Sequence, residues 1–161
     1  MDDLTDVRRK TFERAVKLLA ARPRSVAELR ERLLQGKNTN GEVVETVIAR
    51  LREYGYLDDE RFAFSYASYK VKQRPVGRRR LERDLKFKKI DSGVADKALE
   101  IVFTETPEEQ LIDHAIAKRL RLRGKPKNRL EAKKLFDHLL RQGFEFDLVS
   151  DKVRALFDPS C

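Results

Sequence analysis

Side chains that could do chemistry are concentrated in one stretch, QRPVGRRRLERDLKFKKI, which occupies residues 73–90. Eight of its 18 residues are Lys or Arg, and three arginines are consecutive. Like charges this close repel one another, so the stretch costs stability unless an external anion compensates it. Localised positive charge attracts polyanions and speeds their encounter. The stretch therefore predicts binding of a polyanion, namely DNA, an acidic protein surface, or both together.

The rest of the charge is also segregated along the chain, whose net charge is +9. Residues 1–60 are neutral, residues 61–90 carry +9, residues 91–114 carry −6 and residues 115–161 carry +6. Nine of the basic residues in the last segment lie within positions 118–134. A chain made basic for solubility alone would not need two basic blocks separated by an acidic one. The segregation therefore favours polyanion binding.

Residues suited to catalysis are sparse. His114 and His138 stand alone, without a metal-ligand spacing or a triad partner. The sequence holds no GxxxxGK phosphate loop and no GxSxG nucleophile elbow, and its one cysteine, Cys161, is the last residue. The carboxylates are scattered along amphipathic segments rather than grouped as metal ligands. We therefore expect a protein that is not an enzyme and that uses no cofactor or metal.

The composition is typical of a helical, water-soluble protein. The 161 residues are 40% hydrophobic and 39% charged, with little Gly or Pro. No apolar run approaches the ~20 residues of a membrane span, and MDDLTDVRRK at the start lacks the apolar stretch of a signal peptide. With a single cysteine, no intrachain disulfide can form, so we expect a cytoplasmic protein without membrane association. No long heptad pattern indicates a coiled-coil dimer, which favours a monomer.

Helix signals predict nine helices and an all-α fold. Apolar residues recur at helical spacing throughout, and polar capping residues separate the segments. Ser25 and Glu28 are predicted to form a capping box before the second helix, and Asn40 to cap the third. Thr106 is predicted to cap the seventh helix, with Pro107 at its first position.

The nine helices are predicted to repeat in three groups of three. Leu29, Leu81 and Leu135 are separated by 52 and 54 residues, and the same spacings recur four residues later in each group. Tandem units contact mainly their neighbours, so we predict an elongated, curved array of three three-helix motifs. The predicted units are residues 1–57, residues 58–104, which include the basic stretch, and residues 105–161.

YGYLDDERFAFSYASYK, followed by RPVGRRRLERDLKFKKI, resembles the signature region of the RecX family, bacterial regulators of the RecA recombinase. SVAELRERLLQGK and KLFDHLLRQGF fit the same family, so the resemblance covers almost the whole chain. KKI at 88–90 departs from the family, because a glycine is expected before the isoleucine, and the shape of this turn stays open. The resemblance implies non-catalytic three-helix motifs that bind RecA and its DNA filament. It further implies restraint of filament growth, ATP hydrolysis and strand exchange in DNA repair, recombination and the SOS response.

Basic side chains are the candidates for contact with DNA and recombinase. On the helix that follows Gly77, Arg79, Arg83 and Lys86 are predicted to point away from the buried leucines. The tail of the second basic block, RLRGKPKN, reads as a loop that could follow a phosphate backbone. A solvated charged face is the alternative for both blocks. The candidate contact residues are Lys70, Lys72, Arg74, Arg78, Arg79, Arg80, Arg83, Lys86, Lys118, Arg121, Arg123, Lys125 and Lys127.

An alternative function is that of an independent DNA-binding protein whose three-helix units act as helix-turn-helix modules. The helix from Gly77 to Lys88 would then lie in the major groove. This alternative predicts sequence preference on duplex DNA without any partner, although no Asn, Gln or Arg pattern identifies a base code. An RNA-binding module is a further, weaker alternative.

Overall fold

A computed structural model of the chain describes residues 3–157, which form nine α-helices and no strand. The predicted all-α helical repeat is confirmed. Cys161, on which the expected reducing compartment depends, lies outside the described residues. No helix within residues 3–157 is long and apolar enough to cross a membrane. The helices are α1 (Asp3–Ala21), α2 (Val26–Leu34), α3 (Gly41–Glu53), α4 (Asp59–Gln73), α5 (Arg78–Phe87), α6 (Ser92–Glu105), α7 (Glu108–Arg123), α8 (Arg129–Arg141) and α9 (Phe146–Leu156).

Local capping signals set most helix boundaries. The Ser25 hydroxyl accepts a hydrogen bond from the backbone N–H of Glu28 at 3.1 Å, and the Glu28 carboxylate accepts one from the backbone N–H of Ser25 at 3.1 Å. This is the predicted capping box. The prediction for the seventh helix is wrong by one residue. The backbone of Pro107 is extended, with ψ 143°, so Pro107 rather than Thr106 is the N-cap and the helix begins at Glu108.

The first three helices enclose a core of their own. Leu29, Leu33, Val44 and Leu51 are fully buried between α1, α2 and α3. Among the described residues, this cluster of buried side chains includes none from α4 to α9. The α2 and α3 helices are too short to be stable alone, so burial of the apolar faces that they share with α1 holds the group together.

The other six helices share a second core. It is one continuous cluster that includes Leu81 and Leu85 of α5, Leu99 of α6, Leu139 of α8 and Phe144 before α9. The predicted boundary between the second and third units runs through this cluster, and the division into three units stays a prediction.

The accessible surface is larger than a compact fold would give. The chain exposes 11002 Å², whereas a compact monomer of this length exposes about 8,300 Å². A row of small units that contact mainly their neighbours leaves such a surplus. The surplus is what the predicted elongated array requires.

Neighbouring groups are joined by one recurrent contact. The N-terminal end of the second helix in one group meets the turn between the second and third helices of the next. At the first joint, the Ser25 hydroxyl donates to the backbone carbonyl of Lys88 at 2.8 Å. At the second joint, the backbone N–H of Gly77 donates to the carbonyl of Gln142 at 2.9 Å. The spacings of the four residues match those of the leucine repeat, so the joints occupy equivalent positions.

The turn at residues 88–90, where the family has a glycine, adopts the conformation that glycine favours, although Lys89 occupies the position. Lys89 has φ 57°, and the backbone N–H of Ile90 donates to the carbonyl of Leu85 at 3.1 Å, which closes a Schellman turn. The equivalent residue of the next group is Gly143, with φ 92°. The Lys89 ammonium pairs with Glu31 of α2. The departure from the family therefore changes the residue and keeps the turn.

We expect Lys89→Gly to be more stable than Lys89→Ala by about 1 kcal/mol in the free energy of unfolding, because a side chain is strained in the left-handed region. Both variants lose the ion pair with Glu31, so their difference isolates the backbone strain. Urea denaturation measures both free energies. Equal stabilities would show that the turn carries no such strain.

Candidate polyanion-binding surfaces

The predicted contact residues fall on two surfaces, and all of them are exposed or half-buried. One surface covers the end of α4 and helix α5, and the other covers the connection between α7 and α8. The α5 surface consists of Lys70, Lys72, Arg74, Arg78, Arg79, Arg80, Arg83 and Lys86. The α7–α8 surface consists of Lys118, Arg121, Arg123, Lys125 and Lys127, together with Arg119 and Arg129.

Arg79, which is predicted to point outward from α5, makes an ion pair across the second joint. Its Nε and Nη2 atoms donate to the two carboxylate oxygens of Glu145, each at 3.0 Å. Glu145 is the N-cap residue of α9. Two parallel hydrogen bonds fix the guanidinium in one orientation. Arg79 therefore holds α5 against the start of α9.

The two neighbouring arginines also make contacts within the protein. Arg78 Nε pairs with Glu82 at 3.0 Å, and the backbone N–H of Arg78 donates to the carboxylate of Glu108 at 2.7 Å. Arg80 Nη1 donates to the side-chain oxygen of Gln142 at 3.1 Å. Burial raises the pKa of Glu108, and the hydrogen bond from Arg78 partly opposes that rise. The three consecutive arginines are thus divided among separate partners.

The second joint depends on two glycines in direct contact. A Cβ atom at Gly77 would overlap the backbone of Gly143 and Phe144, and one at Gly143 would overlap the backbone of Arg80. The backbone N–H of Arg79 also donates to the carbonyl of Gly143, at 3.1 Å. Because backbone lies against backbone, rotation of a side chain could not make room for an added Cβ atom at Gly77.

Lys88 is held at the first joint. Its ammonium lies 3.1 Å from the Glu28 carboxylate and 5.7 and 5.3 Å from the ring centroids of Phe62 and Tyr66. The rings add cation–π attraction to the ion pair, and 20% of the Lys88 side chain is exposed. Burial and the hydrogen bond that Tyr66 donates to Asp84 at 3.0 Å raise the pKa of Tyr66 to about 12. The tyrosine therefore stays protonated and keeps its hydrogen bond.

The basic residues at the end of α4 are more open. Lys70 is half-buried, with its ammonium 5.3 Å from the ring centroid of Tyr66. Lys72 and Arg74 are exposed and make no ion pair within residues 3–157. These two side chains remain available to an outside partner.

Arg83 and Lys86 keep the predicted outward position on α5. Both are exposed, form no ion pair in the described part of the chain, and line an open groove of about 550 Å³ that Phe146 also lines. The last residue of the helix, Phe87, is 89% exposed and is absent from the sequence-based candidates. Its signal in the sequence is an apolar residue two positions after Leu85, on the side opposite the buried stripe.

The α7–α8 surface is built on a capped loop. Gly124, with φ 73°, ends α7. The Asn128 side chain accepts from the backbone N–H of Glu131 at 2.9 Å, and the Glu131 carboxylate accepts from the backbone N–H of Lys127 at 2.8 Å. No cation of this surface forms an ion pair among the described residues. The loop is held by hydrogen bonds between backbone N–H groups and the side chains of Asn128 and Glu131, and its basic side chains form no ion pair within residues 3–157.

His138 of α8 lies in the positive field of this surface. It is half-buried, and burial lowers its pKa. The charges of Arg119, Arg141 and Arg123 lower the pKa further. The sequence predicts an ordinary surface or packing position for His138. Its nearness to three arginines of two helices depends on the pairing of α7 with α8, which no local pattern reveals.

No three His, Cys, Asp or Glu side chains within residues 3–157 are grouped as metal ligands. His114 lies on α7 and His138 on α8. The two surfaces present guanidinium, ammonium and apolar groups, whose chemistry is non-covalent contact.

The Arg79–Glu145 pair yields a charge-swap prediction. We expect Arg79→Glu to lower the free energy of unfolding by about 1 kcal/mol, since two half-exposed carboxylates would then repel each other. The double variant Arg79→Glu, Glu145→Arg should recover most of that loss. Chemical denaturation compares both with the parent protein, and a double variant as unstable as the single one would contradict the pairing.

Because the charge swap preserves net charge, the affinity of the double variant for DNA or RecA also tests whether Arg79 itself contacts the partner.

Two family models match parts of the chain. The family model for the first three-helix domain of RecX matches residues 12–51, and the model for its second three-helix domain matches residues 58–99. The Regulatory protein RecX of Chlorobium limicola is 31% identical over 151 residues, which cover 91% of this chain and 91% of that protein.

Two further similarities concern a longer relative and a solved structure. The Regulatory protein RecX of Bacillus subtilis is 34% identical over 143 residues, which cover 88% of this chain and 53% of that protein, so the chain spans about half its length. The crystal structure of RecX from Lactobacillus salivarius superimposes with a TM-score of 0.82 at 21% identity, covering 94% of this chain and 97% of that one. The structural likeness shows the shared fold.

Proposed function

The chain belongs to the RecX family, and on that basis we propose that it is a negative regulator of the RecA recombinase that binds the RecA–DNA filament. The proposed regulation restrains filament growth, ATP hydrolysis and strand exchange in DNA repair, recombination and the SOS response. The observation that carries the proposal is 31% identity over 91% of both chains with a protein named Regulatory protein RecX. In this proposal the protein acts by binding and not by catalysis.

The shape and charge of the protein support a mechanism of bridging. An extended array can contact several subunits of a filament at once, whereas a compact domain of the same length cannot. In the proposed complex, the array lies in the filament groove and contacts DNA phosphates and acidic recombinase surface on adjacent subunits. Such bridging would block addition of RecA monomers or the subunit movements that accompany ATP hydrolysis.

The helix-turn-helix alternative conflicts with the second joint. A recognition helix contacts base edges with its N-terminal residues. In this protein, the backbone N–H groups of Gly77 and Arg79 are bonded to the α8–α9 turn, and that of Arg78 is bonded to Glu108. The N-terminal end of α5 would have to leave these partners before it could enter a major groove. The joint therefore counts against α5 as a recognition helix.

The proposed function is tested by fluorescence titration of the protein against bare single-stranded DNA and against the same DNA coated with RecA and an ATP analogue. ATP hydrolysis by RecA is followed in parallel with ATP. We expect tighter binding to the coated DNA and falling hydrolysis as the protein is added. Equal or tighter binding to bare DNA, with hydrolysis unchanged at saturation, would overturn the proposal.

A further inference from the structure

The two basic surfaces differ in what their charges do inside the protein. Arg78 and Arg79 pair with acids, Arg80 bonds Gln142, and the adjoining Lys88 pairs with Glu28 across the first joint. Arg79 and Arg80 thus hold α5 against the α8–α9 turn, whereas the Arg78 pair lies within α5. The α7–α8 surface has no such internal partners among the described residues.

The chain around the α7–α8 loop is uniformly positive. Residues 114–130 contain seven Lys or Arg and no acidic residue. The first acid after them, Glu131, already accepts a hydrogen bond from the backbone of Lys127. In the loop itself, Arg123, Lys125 and Lys127 occupy alternate positions, so the Cα atoms of adjacent basic residues lie at most ~7 Å apart. A row of closely spaced cations matches a linear polyanion better than it matches scattered surface carboxylates.

Apolar groups lie beside these cations. A groove of about 380 Å³ between the end of α7 and the start of α8 is lined by three basic residues, one acidic residue and apolar residues, including Arg119, Arg123, Lys134, Glu131 and Leu122. Leu122 is 73% exposed, and Leu130, at the start of α8, is 63% exposed. A single strand offers unpaired base faces to apolar side chains, whereas a duplex keeps its bases stacked inside. The combination of a cationic row with exposed leucines therefore favours a single strand.

We propose that the α7–α8 surface binds the phosphate backbone of single-stranded DNA, with Arg123, Lys125 and Lys127 on successive phosphates. Leu122 and Leu130 contact the bases. In the α5 surface, Arg79 and Arg80 instead join α5 to the α8–α9 turn. This inference rests on the proposed function in taking DNA as the polyanion, and it assigns the DNA contact to one of two basic surfaces.

The test compares two charge-matched triple variants of the full chain. The loop variant carries Arg123→Ala, Lys125→Ala and Lys127→Ala. The control variant carries Lys72→Ala, Arg74→Ala and Lys86→Ala, which removes three exposed and unpaired cations from the α5 surface. Each loses three charges, and each should unfold at the same urea concentration as the parent. Binding of fluorescently labelled oligothymidylate is measured by anisotropy across a salt series.

We expect the loop variant to lose about 10-fold in affinity at moderate salt and the slope of log K against log salt to flatten by about 2, since each phosphate contributes about −0.7 on single strands. The control variant should keep affinity and slope close to those of the parent.

In the parent, DNA binding should also raise the pKa of His138, measured by NMR titration, because phosphates offset the positive charge of the nearby arginines. The loop variant should show a smaller rise.

Three results would overturn the inference. The first is an equal loss of affinity for oligothymidylate in the two variants, and the second is tighter binding of the parent to a duplex of the same length. The third is a loop variant that binds bare DNA like the parent but loses affinity for RecA-coated DNA. The last result would make the occupant an acidic protein surface. Failure of the proposed function gives a different result, in which the parent binds single-stranded DNA through the loop and leaves ATP hydrolysis by RecA unchanged.

Discussion

Gly77→Ala is expected to lower the free energy of unfolding by about 2–3 kcal/mol, the upper part of the usual range of ~1–3 kcal/mol for overpacking. Gly77 has φ −85°, which alanine adopts without strain, so the backbone conformation costs nothing. The added Cβ would overlap the backbone of Gly143 and Phe144. Relief requires the α8–α9 turn to move away from α5. The expected loss therefore measures the close approach at the second joint.

Gly41→Ala is the matched control for this change. Gly41 also lies at the start of a helix, and nothing lies within 4 Å of a Cβ added there. Both variants reduce the freedom of the unfolded chain equally, so the difference between them reports the folded state. Urea denaturation should show the Gly41 variant within about 0.5 kcal/mol of the parent. Similar stabilities for the two variants would mean that the joint is loose enough to accept a methyl group.

Leu85→Ala is expected to lower the free energy of unfolding by about 3 kcal/mol, through lost burial and the cavity left behind. Leu85 is 0% exposed and belongs to the core shared by α4 to α9. Because that core is continuous, the loss should reach both of the groups that contribute to it. Amide hydrogen exchange should therefore become faster throughout α4–α9 and stay near the parent rates in α1–α3.

Leu51→Ala makes the same chemical change in the other core. Leu51 is also 0% exposed, and the buried residues of its cluster lie between Ala15 of α1 and Leu57, before α4. We expect faster exchange in α1–α3, with α4–α9 little affected. Uniformly faster exchange across all the described helices in either variant would show that the joints couple the two cores into one cooperative unit.

Much of the architecture follows from local patterns. Apolar residues at helical spacing and capping residues such as Ser25 act over one or two turns, so the helices and most of their ends can be predicted without tertiary information. Thr106 shows the limit of this reasoning, because the sequence predicts the cap there and the extended backbone of Pro107 makes Pro107 the N-cap. The leucine spacing of 52 and 54 residues predicts the repeat for the same reason, since each unit uses the same local pattern.

The roles of the basic residues could be predicted only in part. A run of cations indicates an anionic partner, but the sequence cannot show whether that partner lies inside or outside the protein. Arg79 pairs with Glu145, which is 66 residues away in the sequence, and Lys88 pairs with Glu28, which is 60 residues away in the sequence. Ion pairs at such distances depend on how the groups dock. The α7–α8 surface contains cations that docking leaves without an ion-pair partner among residues 3–157.

The sequence by itself determined the helices, the helical repeat and the family resemblance, because these depend on residues that are neighbours along the chain or recur at a fixed spacing. Only the tertiary structure decided that α4–α9 share one core while α1–α3 keep another. It also decided which arginines are used at the joints. The physical reason is that docking brings the backbone of Gly77 against that of Gly143. That contact places Arg79 beside Glu145 and Arg80 beside Gln142, and no sequence pattern reveals either neighbour.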